Sequence, residues 1–253
     1  MSLPAEHHPA YVLRHGDDNL ILAQRLGEWV SRGPELEEDI ALANLALDHL
    51  GVAQHLLEHA AGLCGDGRSA DDLAFGRTER EFANLLLVEQ PNGDFGHTMA
   101  RQFLFDVYQV LLWDSLADSG DDQLGAIAAR AVKEARYHLR HSSGWVIRLG
   151  DGTEESHRRM QAGIDAMWRF TAEMFTADDV DRAMAAAGIG VDPDHLGSAW
   201  RGRVESVLAE ATLQVPADDF QRGGGRRGFH SEHLGHLLTE MQWMQRTYPG
   251  LSW

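Results

Sequence analysis

Apolar residues recur three and four positions apart along most of the chain, and alternating strand-like patterns are nearly absent. This periodicity predicts a row of helices with clear punctuation between them. A first helix is expected from about Asp17 to Ser31, stopping at Arg32-Gly33-Pro34. A second starts with Pro34 in its first turn, where Glu35, Glu37, Glu38 and Asp39 suit the positive end of a helix, and runs to about Leu63 before Gly65-Asp66-Gly67. Thr78 and Glu81 have capping-box spacing and predict a third helix ending before Pro91-Asn92-Gly93. Asp94 caps a fourth, to about Asp118, and a fifth follows Ser119-Gly120-Asp121 as far as Leu149. Thr153, Thr176, Asp192 (with Pro193 next) and Ser231 are candidate caps for four more, and only Pro216–Gly228 reads as irregular.

Tight turns make the first two helices antiparallel neighbours, and likewise the fourth and fifth. A longer connection, Cys64–Gly93, separates the pairs. Two long hairpins joined by one crossover are the layout of a ferritin-like helical bundle. The expectation is therefore a single all-α domain over 1–253, with a core bundle at about 17–150 and additional C-terminal helices at about 153–248. Composition narrows the function classes. Thirty-nine acidic against 22 basic residues give a net charge of −17, which disfavours phosphate backbones and anionic membrane surfaces as partners. The one cysteine, Cys64, excludes an internal disulfide or a thiolate cage and suits a reducing cytoplasm. No apolar stretch approaches the roughly 20 residues of a membrane span, and Met1–Pro9 has no apolar signal core.

Candidate chemistry lies in polar groups placed on apolar faces. The fourth helix aligns Met99, Phe103, Asp106, Val110 and Trp113; the fifth aligns Ile127, Ala131, Ala135, His138, Ser142 and Trp145. Asp106 and His138 thus point inward. The second helix carries Asn44, Asp48 and His49, and the first Asp18 and Asn19. A single buried Asp or His is most often a polar group satisfied by its neighbours. Four such positions on four helices of one bundle also outline a carboxylate-bridged dimetal site, which takes Glu-x-x-His from two of the helices. The donors are incomplete. Ala135 stands three residues before His138, Glu134 lies one step off that face and is followed at the right spacing by Tyr137, and Val52 stands three residues after His49. The one literal Glu-x-x-His, Glu154–His157, follows Gly152 and reads as support for a helix N-terminus.

Several runs carry a specific resemblance. They are Leu26-Gly27-Glu28-Trp29, Pro34–Glu37, Asn84–Phe95, Lys133–Arg140, Met167–Glu173, and His230–Gly235 with Glu240-Met241-Gln242. Together they identify the chain, from about Tyr11 to Trp253, as similar to the C subunits (PaaC) of bacterial phenylacetyl-CoA 1,2-epoxidases, a ferritin-like family. The resemblance implies a multicomponent oxygenase of aerobic phenylacetate degradation. In it a related A subunit holds the di-iron site, and a reductase with flavin and iron–sulfur centres delivers electrons from NADPH. The C subunit would then be a structural paralogue without the metal site, with no cofactor of its own. Its partners would be the A subunit and the other epoxidase subunits, with a homodimer possible when isolated. Carried over residue by residue, one Glu-x-x-His of the active subunit falls on Ala135 and His138, and its preceding carboxylate on Asp106. The other falls on His49 and Val52, just after Asp48, and the first carboxylate falls near Asp18 or Asn19. The expectation is a vestigial site, with Asp106 buried and hydrogen-bonded, to His138 or to an arginine.

Arg222, Arg226 and Arg227 flank and close the glycine run Gly223–Gly225, and are candidates for contacting a partner or the phosphates of coenzyme A; the simpler role of the run is a flexible connector. It lacks the Gly-Lys-Ser/Thr of a phosphate loop. His230, Glu232, His233 and His236 straddle faces of one helix and read as cap and packing residues. Seven tryptophans, Trp253 among them, read as core or interface anchors. Besides a structural subunit, two functions stay open: a ferritin-like dimetal oxidase with non-standard ligands, and a helical binding protein unrelated to oxygenases.

Overall fold

A computed structural model describes residues 6–251; Met1–Ala5 and Ser252-Trp253 lie outside the described residues. The fold is all-α, of the ferritin-like helical class, with no strand among the described residues. Its helices are α1 (His7–Gly27), α2 (Leu36–Cys64), α3 (Leu86–Glu89), α4 (Phe95–Leu116), α5 (Asp122–Gly150), α6 (Glu154–Trp168), α7 (Asp179–Ala186), α8 (Gly197–Glu210), α9 (Glu232–Met241) and α10 (Trp243–Thr247). None is long and apolar enough to cross a membrane.

Most boundaries follow from local chemistry. The Asp94 carboxylate accepts from the His97 amide at 2.9 Å and starts α4. Asp121 accepts from the Gln123 and Leu124 amides at 2.9 and 3.0 Å and starts α5. Thr153 accepts from the Ser156 amide and starts α6. The α2 helix stops at Gly65, which adopts a left-handed φ of 64°.

Elsewhere the structure corrects the expectation. The first helix begins at His7 rather than Asp17, because Tyr11, Val12 and His15 are buried and extend its packed face by nearly three turns. Asp17 and Asp18 are therefore mid-helix residues and not the start of the helix. The expected helix over 78–90 is also absent as such. The Thr78/Glu81 capping box is real, with the Thr78 amide donating to Glu81 Oε2 at 2.7 Å. It opens only the short 3-10 turn Glu79–Glu81, after which Phe82 and Leu85 are extended. The reason lies outside the segment. The Ala83 amide donates to Asp17 and the Leu85 amide to Asp18, at 2.9 and 2.7 Å, so these backbone groups are satisfied by α1 instead of by a helix of their own. Asp178 rather than Thr176 caps α7. Asp192 caps a 3-10 turn, Pro193–Leu196, that leads into α8. Ser231 does hold the N-cap position of α9, although its hydroxyl makes no cap bond.

The chain divides into two compact units, residues 1–91 with 223–253, and residues 92–222. In the first, α1 and α2 form a long hairpin, α3 packs on α1, and α9 and α10 lie on the segment between α2 and α3. In the second, α4 and α5 form the hairpin, and α6 and α8 each pack on both of its helices. Its core is aromatic: Trp168 and Phe175 lie 5.6 and 5.1 Å from the Trp200 ring, whose Nε1 donates to the Leu104 carbonyl. Trp113, Trp168 and Trp200 are core residues as expected, whereas Trp29 and Trp145 are half-buried and Trp243 is exposed.

Candidate functional site

The α4 helix buries a polar row, Gln102, Asp106 and Gln109, spaced to lie along one face. Asp106 Oδ2 accepts from the Ser142 hydroxyl of α5 at 2.7 Å. His138, one turn earlier on α5, brings a ring nitrogen within 4.8 Å of the carboxylate. The hydrogen bond is thus to the expected helix, but to Ser142 rather than to His138 or an arginine. Burial drives the Asp106 pKa up to about 6, against the opposing pull of the His138 charge and the Ser142 hydrogen bond. Asp106 Oδ1 and both amide atoms of Gln102 make no hydrogen bond among the described residues. Ala135, buried one turn before His138, presents only a methyl group.

The hairpin of α1 and α2 holds the other candidates. The register of α1 separates Asn19 from Asp18. Asn19 Oδ1 meets His49 Nδ1 at 2.8 Å across the hairpin, and its amide donates to the His15 carbonyl. Val52 is buried without a polar atom, and Asp48 is half-buried. Asp18 is turned elsewhere. Arg226 grips it with two bonds, at 2.7 and 3.1 Å, and the same guanidinium donates to the Arg14 and Ala83 carbonyls. Burial alone would raise the Asp18 pKa, but the Arg226 charge and the neighbouring His15 hold it below the usual carboxylate value. His15 itself is lowered, mainly by burial. One residue earlier, Asp17 is fully buried and paired with Arg77.

The Arg226 guanidinium is committed inside the fold. The glycine run is not a loose connector. A Cβ on Gly225 would come 2.1 Å from the Asn84 carbonyl oxygen, and Gly228, at φ 72°, brings the same conflict with Arg80. The glycines let backbone pack on backbone so that Arg226 reaches Asp18. Arg222 and Arg227 are exposed, Arg227 stacking 5.6 Å over the Phe229 ring.

A second buried network is one that sequence spacing misses. Glu89 accepts from Asn84 Nδ2, His230 Nδ1 and the Ser231 amide, at 2.9, 2.8 and 2.7 Å. The other ring nitrogen of His230 faces the Phe82 carbonyl at 2.9 Å. Burial would lower the His230 pKa; the hydrogen bond and charge of Glu89 raise it instead. His230 is thus a packing residue, as expected for its run. The only sequence trace of the network is that Asn84, Glu89 and His230 fall in two of the runs that carry the resemblance.

A carboxylate-bridged dimetal centre takes four carboxylates and two imidazoles from four helices. The residues here do not fit it. Ala135 and Val52 carry no donor, Asn19 offers an amide, Asp18 is neutralised by Arg226, and Asp106 is bonded to Ser142.

A family model described as "Phenylacetic acid catabolic protein" matches residues 3–253. The chain belongs to that family. A relative from Escherichia coli (strain K12), named as the C subunit of 1,2-phenylacetyl-CoA epoxidase, is 54% identical over 244 residues, covering 96% of this chain and 98% of its own. The match therefore spans the chain from α1 to α10.

Proposed function

We propose that this chain is the structural, non-catalytic subunit of a multicomponent phenylacetyl-CoA epoxidase of phenylacetate degradation. In this reading it acts in the cytoplasm, pairing with and stabilising a di-iron A subunit. The iron, and the NADPH, flavin and iron–sulfur centres that feed it, belong to the other subunits. The observation that carries the reading is the residues found at positions that the resemblance aligns with metal donors. Two are apolar, one is ion-paired to Arg226, and one is bonded to Ser142.

The test is metal analysis and co-expression. The purified chain is expected to hold no stoichiometric iron after reconstitution with Fe(II) under anaerobic conditions. Expressed with the A subunit, it is expected to co-purify and to raise that subunit's soluble yield and epoxidase activity. Two irons per chain, or an A subunit equally soluble and active alone, would contradict the proposal.

A further inference from the structure

The outward face of α2 carries an apolar seam. Leu36, Ile40, Leu47 and Leu50 are 70, 54, 64 and 40% exposed, and half-buried Ala43 lies between them. The spacing is four, three, four, three, the interval that keeps side chains in one line along a helix facing another helix. The line runs for about 21 Å at 1.5 Å per residue. Single exposed leucines need no explanation, but a continuous row of them on one helix marks a contact surface. The inward face of the same helix, Leu42, Leu45, Val52 and Leu56, is buried in the usual way. The α2 helix is thus apolar on two opposite sides, and only one is covered.

Its charge says what fits. From Leu36 to Cys64 there are five carboxylates and no lysine or arginine. On the 3.6-residue turn, Glu37 and Asp48 border the seam on one side and Asp39 on the other. A second copy of α2, laid antiparallel about Ala43, would match Leu36 to Leu50. It would also gather both sets of carboxylates with no cation between them, in a chain already at −17.

Resting on the subunit reading above, we infer that the seam Leu36–Leu50 of α2 is the docking surface for the catalytic partner, and that it seats a partner helix with an apolar stripe bordered by lysine or arginine. The apolar row supplies the buried centre of the contact, and the acidic border selects the basic partner over a second copy of this chain.

The experiment measures binding of the full chain to the purified A subunit by titration calorimetry and analytical sizing. The double variant Ile40→Lys, Leu47→Lys, and separately Leu36→Gln, Leu47→Gln, are compared with Trp243→Ala, an exposed aromatic elsewhere. Circular dichroism and the melting temperature confirm that each variant is folded. Both seam variants are expected to weaken binding at least tenfold, the lysine pair more than the glutamine pair, with Trp243→Ala unchanged. Wild-type affinity is expected to fall as salt rises from 50 to 500 mM. If wild type binds the A subunit and folded seam variants bind equally well, the seam is not the docking surface, while the subunit reading stands. If wild type forms no complex at micromolar concentration, the subunit reading fails and this inference with it. A wild-type dimer that the seam variants abolish, with A-subunit binding intact, would assign the seam to a second copy and overturn the inference.

Discussion

A carboxyl group sealed among helices is stable only when something answers its charge, and Asp106 is answered weakly. Ser142 offers one hydrogen bond and His138 lies nearby, yet burial still lifts the Asp106 pKa from its ordinary 3.8 to about 6. Between those values the folded chain binds more protons at this site than the unfolded chain. Stability therefore falls as pH rises through about 4 to 6, and the cost, on the order of 3 kcal/mol, is fully present above the upper value. Asp106→Asn keeps an acceptor for Ser142 and removes the charge. It is expected to leave stability at pH 4 nearly unchanged and to raise it at pH 7.5 by roughly 1–2 kcal/mol. Urea denaturation at the two pH values checks this, and a variant less stable than wild type at pH 7.5 would show that the ionised carboxylate is welcome there.

At the scale of elements, the segment between α2 and α4 is shaped by two neighbouring aspartates of α1. Asp17 pairs with Arg77 and Asp18 with Arg226, and the Ala83 and Leu85 amides complete the shells. Arg226→Met would leave Asp18 buried without a cation, and the expected loss is about 3–5 kcal/mol. Arg226→Lys keeps the charge but not the two-pronged grip, and is expected to lose less. Urea midpoints of the two variants give the comparison; equal midpoints would mean that the grip adds nothing to the charge. These pairs also mark the limit of what the sequence shows. Asp94, Asp121 and Thr153 act on amides two or three residues away, so their helices could be read directly. The 78–90 segment could not, because its decisive partners lie 66 and 67 residues away on α1. The Gly16-Asp17-Asp18-Asn19 run looks like a helix start for the same reason: nothing local announces that Arg77 and Arg226 will neutralise it in mid-helix.

For the whole molecule, helical periodicity and turn placement were enough to read an all-α fold with two long hairpins, since both are properties of near neighbours. The candidate site was legible in part. Asp106 and His138 could be assigned inward from the stripe they interrupt, and Ala135 and Val52 show the missing donors without any coordinates. Which of Asp18 and Asn19 faces His49 depends on the rotation of α1, which brings Asn19 to His49 and Asp18 to Arg226. With Asp18 turned to Arg226, that position supplies no free carboxylate for iron. Restoring donors alone, as in Ala135→Glu with Val52→His, is expected to give at most weak, substoichiometric iron on metal analysis, because Asp18 would still be held by Arg226. Stoichiometric binding by that double variant would show that the ion pair yields to metal.

The Asp18–Arg226 pair spans 208 residues, and this sets an order of events during synthesis. At roughly 5–20 residues per second, the ribosome delivers Arg226 some 10–40 s after Asp18. Until then the Asp18 carboxylate lacks this cation and favours staying in water, so closure of the first hairpin is expected to follow that of residues 92–222, an uninterrupted stretch. In refolding of the full chain Arg226 is present from the start, but its pair with Asp18 must still close a loop of 208 residues, which slows it. In pulsed hydrogen exchange, amides of α4 and α5 are expected to gain protection before those of α1, and simultaneous protection would remove the delay. A cell making this chain therefore handles, for the better part of each round of translation, a nascent N-terminus whose fold depends on residues not yet made.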